Sequence, residues 1–159
     1  MAFGTSSKIF TAFIENALGN DVAYDLDTAG DTFYVALYNN TNTPSQTVTL
    51  ANTVYNVDQW ATGEVYDGAE WPQAGQALSI TTSGFASNVF TFDAADEVST
   101  GTSASLTDCR GCLVYDNTLS PKYGLCYLSF GGAAAVTDGT FTVVFNGSGI
   151  FTLTLYGST

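Results

Sequence analysis

The sequence predicts a mainly β protein, an antiparallel β-sandwich or barrel of about eight short strands with one N-terminal amphipathic helix. Three observations favour this class. A length of 159 residues suits a single domain over residues 1–159. Helical spacing of apolar residues ends before residue 20. From residue 31 onward, short alternating segments are separated by Gly, Asn, Asp and Ser, as short strands should be.

The predicted helix spans residues 6–19. Its apolar side chains recur at the spacing of one helix face, at Ile9, Phe10, Phe13, Ile14, Ala17 and Leu18. Ser6 or Ser7 can cap the first turn with its hydroxyl, and Gly19 can end the helix in a left-handed conformation. We expect residues 1–5 to form a mobile arm and the helix to cover a sheet.

The predicted β-sandwich occupies residues 31–156. Residues 32–38 carry Phe33, Val35 and Leu37 on one face, as the two-residue period of a strand requires. The further strand candidates are residues 46–50, 76–82, 85–92, 111–116, 123–130, 139–145 and 150–156. We expect the last two to form a hairpin, 123–130 to be a central strand, and 96–107 to be an exposed connection.

The least regular stretch is a long loop over residues 51–76, and loops of this length are often functional. It contains Trp60, Tyr66 and Trp71. Because interface hot spots are enriched in Trp and Tyr, we predict that these three side chains contact a partner. A structural interpretation also fits the pattern, in which the aromatic residues pack under the loop as part of the core.

The same loop contains Glu64, Asp67 and Glu70. Two carboxylates beside an aromatic wall are what glycoside hydrolysis requires, so a glycan-cleaving enzyme is one alternative. Any acidic loop with aromatic residues shows the same composition, and carboxylates are mostly surface residues. We therefore predict no catalytic residues and no enzymatic activity.

Composition limits the classes of partner. The chain has 15 Asp and Glu against 3 Lys and Arg, a net charge of −12. Such a surface repels phosphates, so we expect neither nucleic acid nor a membrane as a partner. The chain also has 0 histidines, which removes the Ser-His-Asp and Cys-His mechanisms and the commonest metal ligand.

The sequence predicts neither a metal site nor a cofactor. Cys109 and Cys112 have the spacing of half a zinc site, but the residues to complete it are missing, so buried strand positions are expected. Residues 25–31 resemble the start of a calcium loop. Ala29 and Ala36 stand where that pattern needs oxygen ligands, and a solvated turn is the better interpretation.

Four segments together resemble a known family. They are Lys8-Ile-Phe-Thr-Ala-Phe13, Asp31-Thr-Phe-Tyr-Val-Ala-Leu-Tyr-Asn-Asn-Thr-Asn-Thr-Pro44, Leu113-Val-Tyr-Asp-Asn-Thr118 and Gly139-Thr-Phe-Thr-Val-Val-Phe-Asn146. The chain resembles the small β-rich virion proteins of tailed bacteriophages, of the minor capsid or head decoration type. The likeness runs from the helix to the final strand, and it departs at Cys109–Cys112 and in the Trp-bearing loop.

The resemblance implies a structural protein without catalytic residues that binds the major capsid protein on the outside of the assembled shell. It also implies a location on the virion, after synthesis in the cytoplasm of a bacterial host. Because capsids have local symmetry axes, we expect a homo-oligomer such as a trimer. Two further alternatives are a tail or neck component and a carbohydrate- or receptor-binding module that uses the Trp60–Trp71 region.

Overall fold

The computed structural model describes residues 3–156, which form a mainly β protein with antiparallel sheets. One helix, α1, spans Thr11–Gly19, and two short 3-10 helices span Leu50–Thr53 and Asp58–Trp60. The strands are β1 (Lys8–Ile9), β2 (Phe33–Tyr38), β3 (Glu64–Val65), β4 (Gln76–Ala77), β5 (Ile80–Ala86), β6 (Val89–Ala94), β7 (Glu97–Val98), β8 (Ala104–Asp116), β9 (Gly124–Gly139), β10 (Thr142–Val143) and β11 (Phe151–Thr154). The antiparallel β class predicted from the sequence is thus confirmed.

The largest sheet has six strands in the order β1-β9-β8-β2-β3, with β4 also pairing with β2. Strand β2 lies inside this sheet, and all its residues except Tyr34 are buried. Leu125, Cys126 and Tyr127 of β9 are likewise buried, between β1 and β8, as predicted for a central strand. Within residues 3–156 the outer strands β1 and β3 do not pair with each other, so the barrel form of the prediction is wrong.

A three-stranded sheet in the order β11-β6-β5 and a two-stranded sheet of β10 and β7 complete the β structure. The three-stranded sheet contacts the six-stranded one through Phe92 of β6 and Phe33 of β2, whose rings meet edge to face with centroids 5.2 Å apart. Helix α1 joins the same core, because Phe13 packs against Phe151 of β11 at 5.8 Å. Buried aromatic side chains therefore connect the sheets and the helix.

The helix is shorter than the predicted span of residues 6–19. Lys8 and Ile9 pair with Tyr127 and Cys126 of β9, and α1 begins at Thr11 without a side-chain cap. Pairing with a sheet edge satisfies the backbone groups of these residues, so it replaces the predicted capping by Ser6 or Ser7. The C-terminal prediction is close, since the helix ends at Gly19 and Asn20 adopts the left-handed conformation with φ 58°.

The predicted mobile arm falls partly outside the described residues. Phe3 is buried, meets Tyr127 edge to face at 6.3 Å, and donates its backbone N–H to the Asn40 side chain. Gly111 makes room for this ring, because a Cβ at that position would overlap it. Aromatic burial thus fixes Phe3 against β8 and β9.

The predicted closing hairpin is wrong. Within residues 139–156, β10 pairs with β7 and β11 pairs with β6, so the two segments belong to different sheets. Asn146 and Gly149 do form a turn, with a backbone hydrogen bond of 2.7 Å. Alternating apolar residues identify a strand, but the partner depends on which sheet buries its apolar face.

Two other predicted segments differ from the structure. Residues 46–49 form no strand, and the backbone carbonyl of Gln46 instead accepts hydrogen bonds from Thr11. Residues 96–107, predicted as an exposed connection, include β7 and the start of β8, where Ala104 and Leu106 are buried. Ala104 and Leu106 are buried because alternate residues of β8 face the core, while most polar side chains of residues 96–107 remain exposed.

Candidate functional site

Trp60, the first residue of the predicted interface, belongs to the core. Its side chain is 1% exposed and meets Tyr38 at 4.8 Å and Phe10 at 6.2 Å, both edge to face. The Tyr38 hydroxyl donates a hydrogen bond of 3.1 Å to the Trp60 carbonyl. The prediction that Trp60 is available to a partner is therefore wrong, because Phe10, just before α1, and Tyr38 of β2 already pack against its ring.

Trp71 is also buried, and Tyr66 is the one predicted interface residue on the surface. Trp71 has 0% exposure and packs edge to face on Phe141 at 5.8 Å. Its backbone forms an isolated bridge with Asp67. Tyr66 is 51% exposed. The two tryptophans thus fasten the long loop to the core, as the structural interpretation of the sequence allows, and they do not form a surface with Tyr66.

Glu64 lies in a layer of tyrosines beneath the loop. Its carboxylate accepts hydrogen bonds from the Tyr55 hydroxyl at 2.8 Å and from the Ala74 backbone N–H at 2.7 Å. The Tyr55 ring stacks on Tyr115 with centroids 4.7 Å apart, and the Tyr115 hydroxyl donates to the Ala74 carbonyl at 2.7 Å. Burial raises the pKa of Glu64, although these hydrogen bonds oppose the change.

The three loop carboxylates have different partners. Whereas Glu64 holds Ala74, Asp67 accepts a hydrogen bond of 2.6 Å from the backbone N–H of Ser105. One carboxylate oxygen of Glu70 is buried without a hydrogen-bond partner and lies beside Gly101. Glu64 and Asp67 therefore fix the loop to neighbouring segments. Two of the three carboxylates that formed the alternative catalytic candidate thus have structural roles.

The residues considered as metal ligands also have local partners. In the turn before β2, Asp25 accepts from the Asp27 N–H and Asp31 accepts from the Asp25 N–H. Cys109 and Cys112 are fully buried, and burial raises the pKa of each thiol to about 12. Within residues 3–156 no group of three or more Asp, Glu, Cys or His side chains could hold a metal ion.

A second surface is the most apolar exposed region near α1. The register places Phe85 of β5, Phe90 of β6 and Leu153 of β11 side by side in one row across the sheet. The next row contains Phe92 and Phe151, which are buried against the core. The row of Phe85, Phe90 and Leu153 therefore extends the core-facing side of the sheet toward solvent.

One more side chain, Leu18 of α1, enlarges this surface, which we call the apolar face and define by Leu18, Phe85, Phe90 and Leu153, residues that line one groove. Leu18 is 77% exposed and Phe85 is 61% exposed. Helix α1 ends at Gly19, so its last turn contributes Leu18 to the face instead of covering it. Sequence analysis placed Leu18 on the buried side of the helix, and this prediction is wrong.

One sequence signal, the turn-forming pair Ser87-Asn88 between two apolar segments, could have located the apolar face. Ser87 and Asn88 have φ of 49° and 65°, and they join β5 to β6 by a two-residue turn. Positive φ at both central residues defines a type I′ hairpin turn, for which Asn is favoured. Phe85 and Phe90 flank this turn and pair across the hairpin, which places both large apolar side chains on the same face of the sheet.

Comparison of the chain with protein-family models, with curated proteins and with solved structures finds no match in any of the three. Among the described residues, no helix combines the length and the apolar character that crossing a membrane requires. The functional argument therefore rests on the sequence, the geometry and the charge of the chain itself.

Proposed function

We propose that the chain is a non-enzymatic structural protein of a tailed bacteriophage virion, which binds the outside of the assembled capsid and stabilises it. The observation that carries this proposal is the apolar face, where Leu18 and Phe85 are each more than half exposed. Exposed apolar patches on small proteins mark interaction surfaces, and aromatic side chains are enriched at interfaces. The resemblance of the sequence to head decoration proteins suggests the partner, which would be the major capsid protein.

The proposed architecture is a β-sandwich formed by the six-stranded sheet and the two smaller sheets. The ring contact between Phe33 and Phe92, and that between Trp71 and Phe141 just before β10, support two packed layers. The three-stranded layer of this sandwich carries the apolar face beside α1. An exposed apolar face of this kind is available for contact with a larger assembly.

The net charge of −12 supports placement on the outside of the shell. Packaged DNA inside the capsid would repel a strongly acidic chain, whereas counterions screen the same charge outside within about 10 Å at 0.1 M salt. We expect a homo-oligomer, for which a trimer would fit a local threefold axis of the lattice. Attachment at several lattice points would then slow release from the capsid.

Capsids that lack the protein provide the test. Purified protein is mixed with empty and with DNA-filled capsids at low and high salt, and bound protein is measured after sedimentation. We expect the protein to bind both kinds of capsid equally. Phe85→Ala should abolish this binding. The control Val144→Ala should retain it fully, because Val144 is an apolar side chain that is 72% exposed but lies outside the apolar face. Binding to tails alone would support the tail or neck alternative, and binding to host glycans alone would support a receptor-binding module.

A further inference from the structure

A groove of about 190 Å³ separates α1 from the three-stranded sheet. Phe13 and Phe151 form its floor and are buried, while Leu18, Leu26 and Phe85 form its walls. All the described side chains that line it are apolar. The groove is therefore the concave part of the apolar face.

The size of the groove indicates what fits. Sites for whole small molecules usually have volumes of about 300–1,000 Å³. A smaller, open groove between a helix and a sheet suits one or two apolar side chains from another polypeptide. Such an anchor, seated in a pocket and desolvated, is the feature that dominates the binding energy of many protein interfaces.

Exposed carboxylates flank the groove. Glu15 lines a neighbouring cavity that shares Ile14 and Leu18 with the groove. Asp27 lines another neighbouring cavity, which shares Leu26 with it. Both carboxylates are exposed. An apolar centre with negative charge at its rim is complementary to an apolar side chain with positive neighbours.

The basic residues of this chain do not neutralise that rim. None of the 3 lines the groove or either of the two cavities that contain Glu15 and Asp27. Arg110 pairs with Asp108 at 2.6 Å, and Lys122 lies over the ring of Tyr55 at 5.9 Å. Lys8 is on β1, where it pairs with Tyr127. The negative charge at the groove is thus open to a partner.

We propose that this groove binds a protein segment in which one or two large apolar side chains are flanked by lysine or arginine. A second copy of this chain is a poorer occupant, because it would bring another net charge of −12 against Glu15 and Asp27. This proposal deepens the proposed function. It rests on that function only in naming where the segment comes from, which would be the surface of the capsid.

Synthetic peptides test the groove directly, with binding measured by fluorescence anisotropy and located by NMR amide shifts. The first peptide places two leucines and a phenylalanine between flanking lysines. The second replaces its lysines with glutamates, and the third replaces its apolar residues with serines. We expect the first peptide to bind at least 10-fold more tightly than either of the other two. Its binding should shift the amide signals around Leu18, Leu26 and Phe85.

Matched variants separate the two parts of the site. Leu18→Ala with Phe85→Ala should weaken binding of the first peptide at least 10-fold, whereas Val144→Ala should leave it within 2-fold. Glu15→Gln with Asp27→Asn should weaken it several-fold and flatten its salt dependence. Asp58→Asn with Asp138→Asn removes the same charge from exposed positions elsewhere and should change binding less.

Several outcomes would overturn the inference. These are equal binding of the glutamate-flanked peptide, equal effects of the paired charge variants, amide shifts away from the groove, or no binding of the first peptide at millimolar concentration. Concentration-dependent dimerisation lost in Leu18→Ala with Phe85→Ala would replace the segment with a second copy of the chain. If the first peptide binds as expected but the purified protein does not bind to capsids that lack it, the groove assignment stands and the proposed function fails.

Discussion

The long loop over residues 51–76 and the apolar face place large apolar side chains in opposite environments. In the loop, Trp60 and Trp71 are at most 1% exposed. On the apolar face, Leu18 and Phe85 are more than half exposed. Residue type suggests the reverse, since tryptophan is enriched and leucine under-represented among interface hot spots. The comparison teaches that burial, not residue type, decides which aromatic or aliphatic side chain can meet a partner.

The largest expected effect is on the buried side of this comparison. Trp60→Ala should lower the free energy of unfolding by about 3–5 kcal/mol, because truncating a buried Trp leaves a cavity as well as losing apolar burial. Urea unfolding followed by circular dichroism measures this change. Tyr66→Ala in the same loop is the control and should cost far less, since Tyr66 is 51% exposed. Similar losses in the two variants would break the comparison.

Much of the β structure could be predicted because the pattern of single strands is local. Strand β2 follows from alternating residues around Val35, and the buried part of β9 follows from the apolar run around Cys126. Pairing is not local. Lys8 and Ile9 appear helical beside Phe13, yet β9 offers them a sheet edge. Such long-range choices depend on which apolar faces meet in three dimensions.

The candidate interface was harder to predict for the same reason. Trp60 is buried because Phe10 and Tyr38, which are 50 and 22 residues away in the chain, surround it. Leu18 remains exposed because α1 ends at Gly19, before the helix can cover the row that contains Phe85. Periodicity assigned both residues to a face but could not determine what would lie opposite that face.

The second prediction concerns Asp116, which is buried like the tryptophans but is polar. One of its oxygens accepts N–H groups of Thr118 and Leu119, and the other has no hydrogen-bond donor. Burial and the neighbouring Asp31 carboxyl raise its pKa from 3.8 to about 6. The unfolded chain therefore loses this proton at lower pH than the folded chain, and Asp116 makes stability fall as pH rises from about 4 to about 6.

Asp116→Asn should raise the free energy of unfolding by roughly 2–3 kcal/mol at pH 8, at about 1.4 kcal/mol for each pH unit between the two pKa values. The amide keeps the acceptor for Thr118 and Leu119 and provides a donor for Asp31. The gain should shrink as pH falls and vanish below about pH 4, where Asp116 is protonated in both states. Urea titrations at pH 4, 6 and 8 measure it, and a constant difference at all three would contradict the assignment.

A smaller effect is expected in the tyrosine layer beneath the loop. Tyr115→Phe removes the hydroxyl that donates to the Ala74 carbonyl at 2.7 Å while keeping the ring stacked on Tyr55. The loss of one such hydrogen bond should cost about 1 kcal/mol. Tyr66→Phe is the matched control on the exposed side of the loop and should be close to neutral. Equal costs would show that the hydroxyl of Tyr115 does not hold the loop.

The smallest effect on stability is expected at Leu18, and it sharpens the comparison within a single helix. Phe13 is 1% exposed and Leu18 is 77% exposed, although both belong to the apolar pattern of α1. Because Ala is the best helix former and Leu18 buries little surface, Leu18→Ala should change the free energy of unfolding by at most about 0.5 kcal/mol. Phe13→Ala should cost about 3–5 kcal/mol, as expected for a buried aromatic residue. Urea unfolding of both variants measures the difference, and the proposed capsid contact can then be tested with the stable Leu18→Ala protein. A loss of stability at Leu18 comparable to that at Phe13 would mean that the apolar face is already covered in the free protein, most simply by a second copy of the chain.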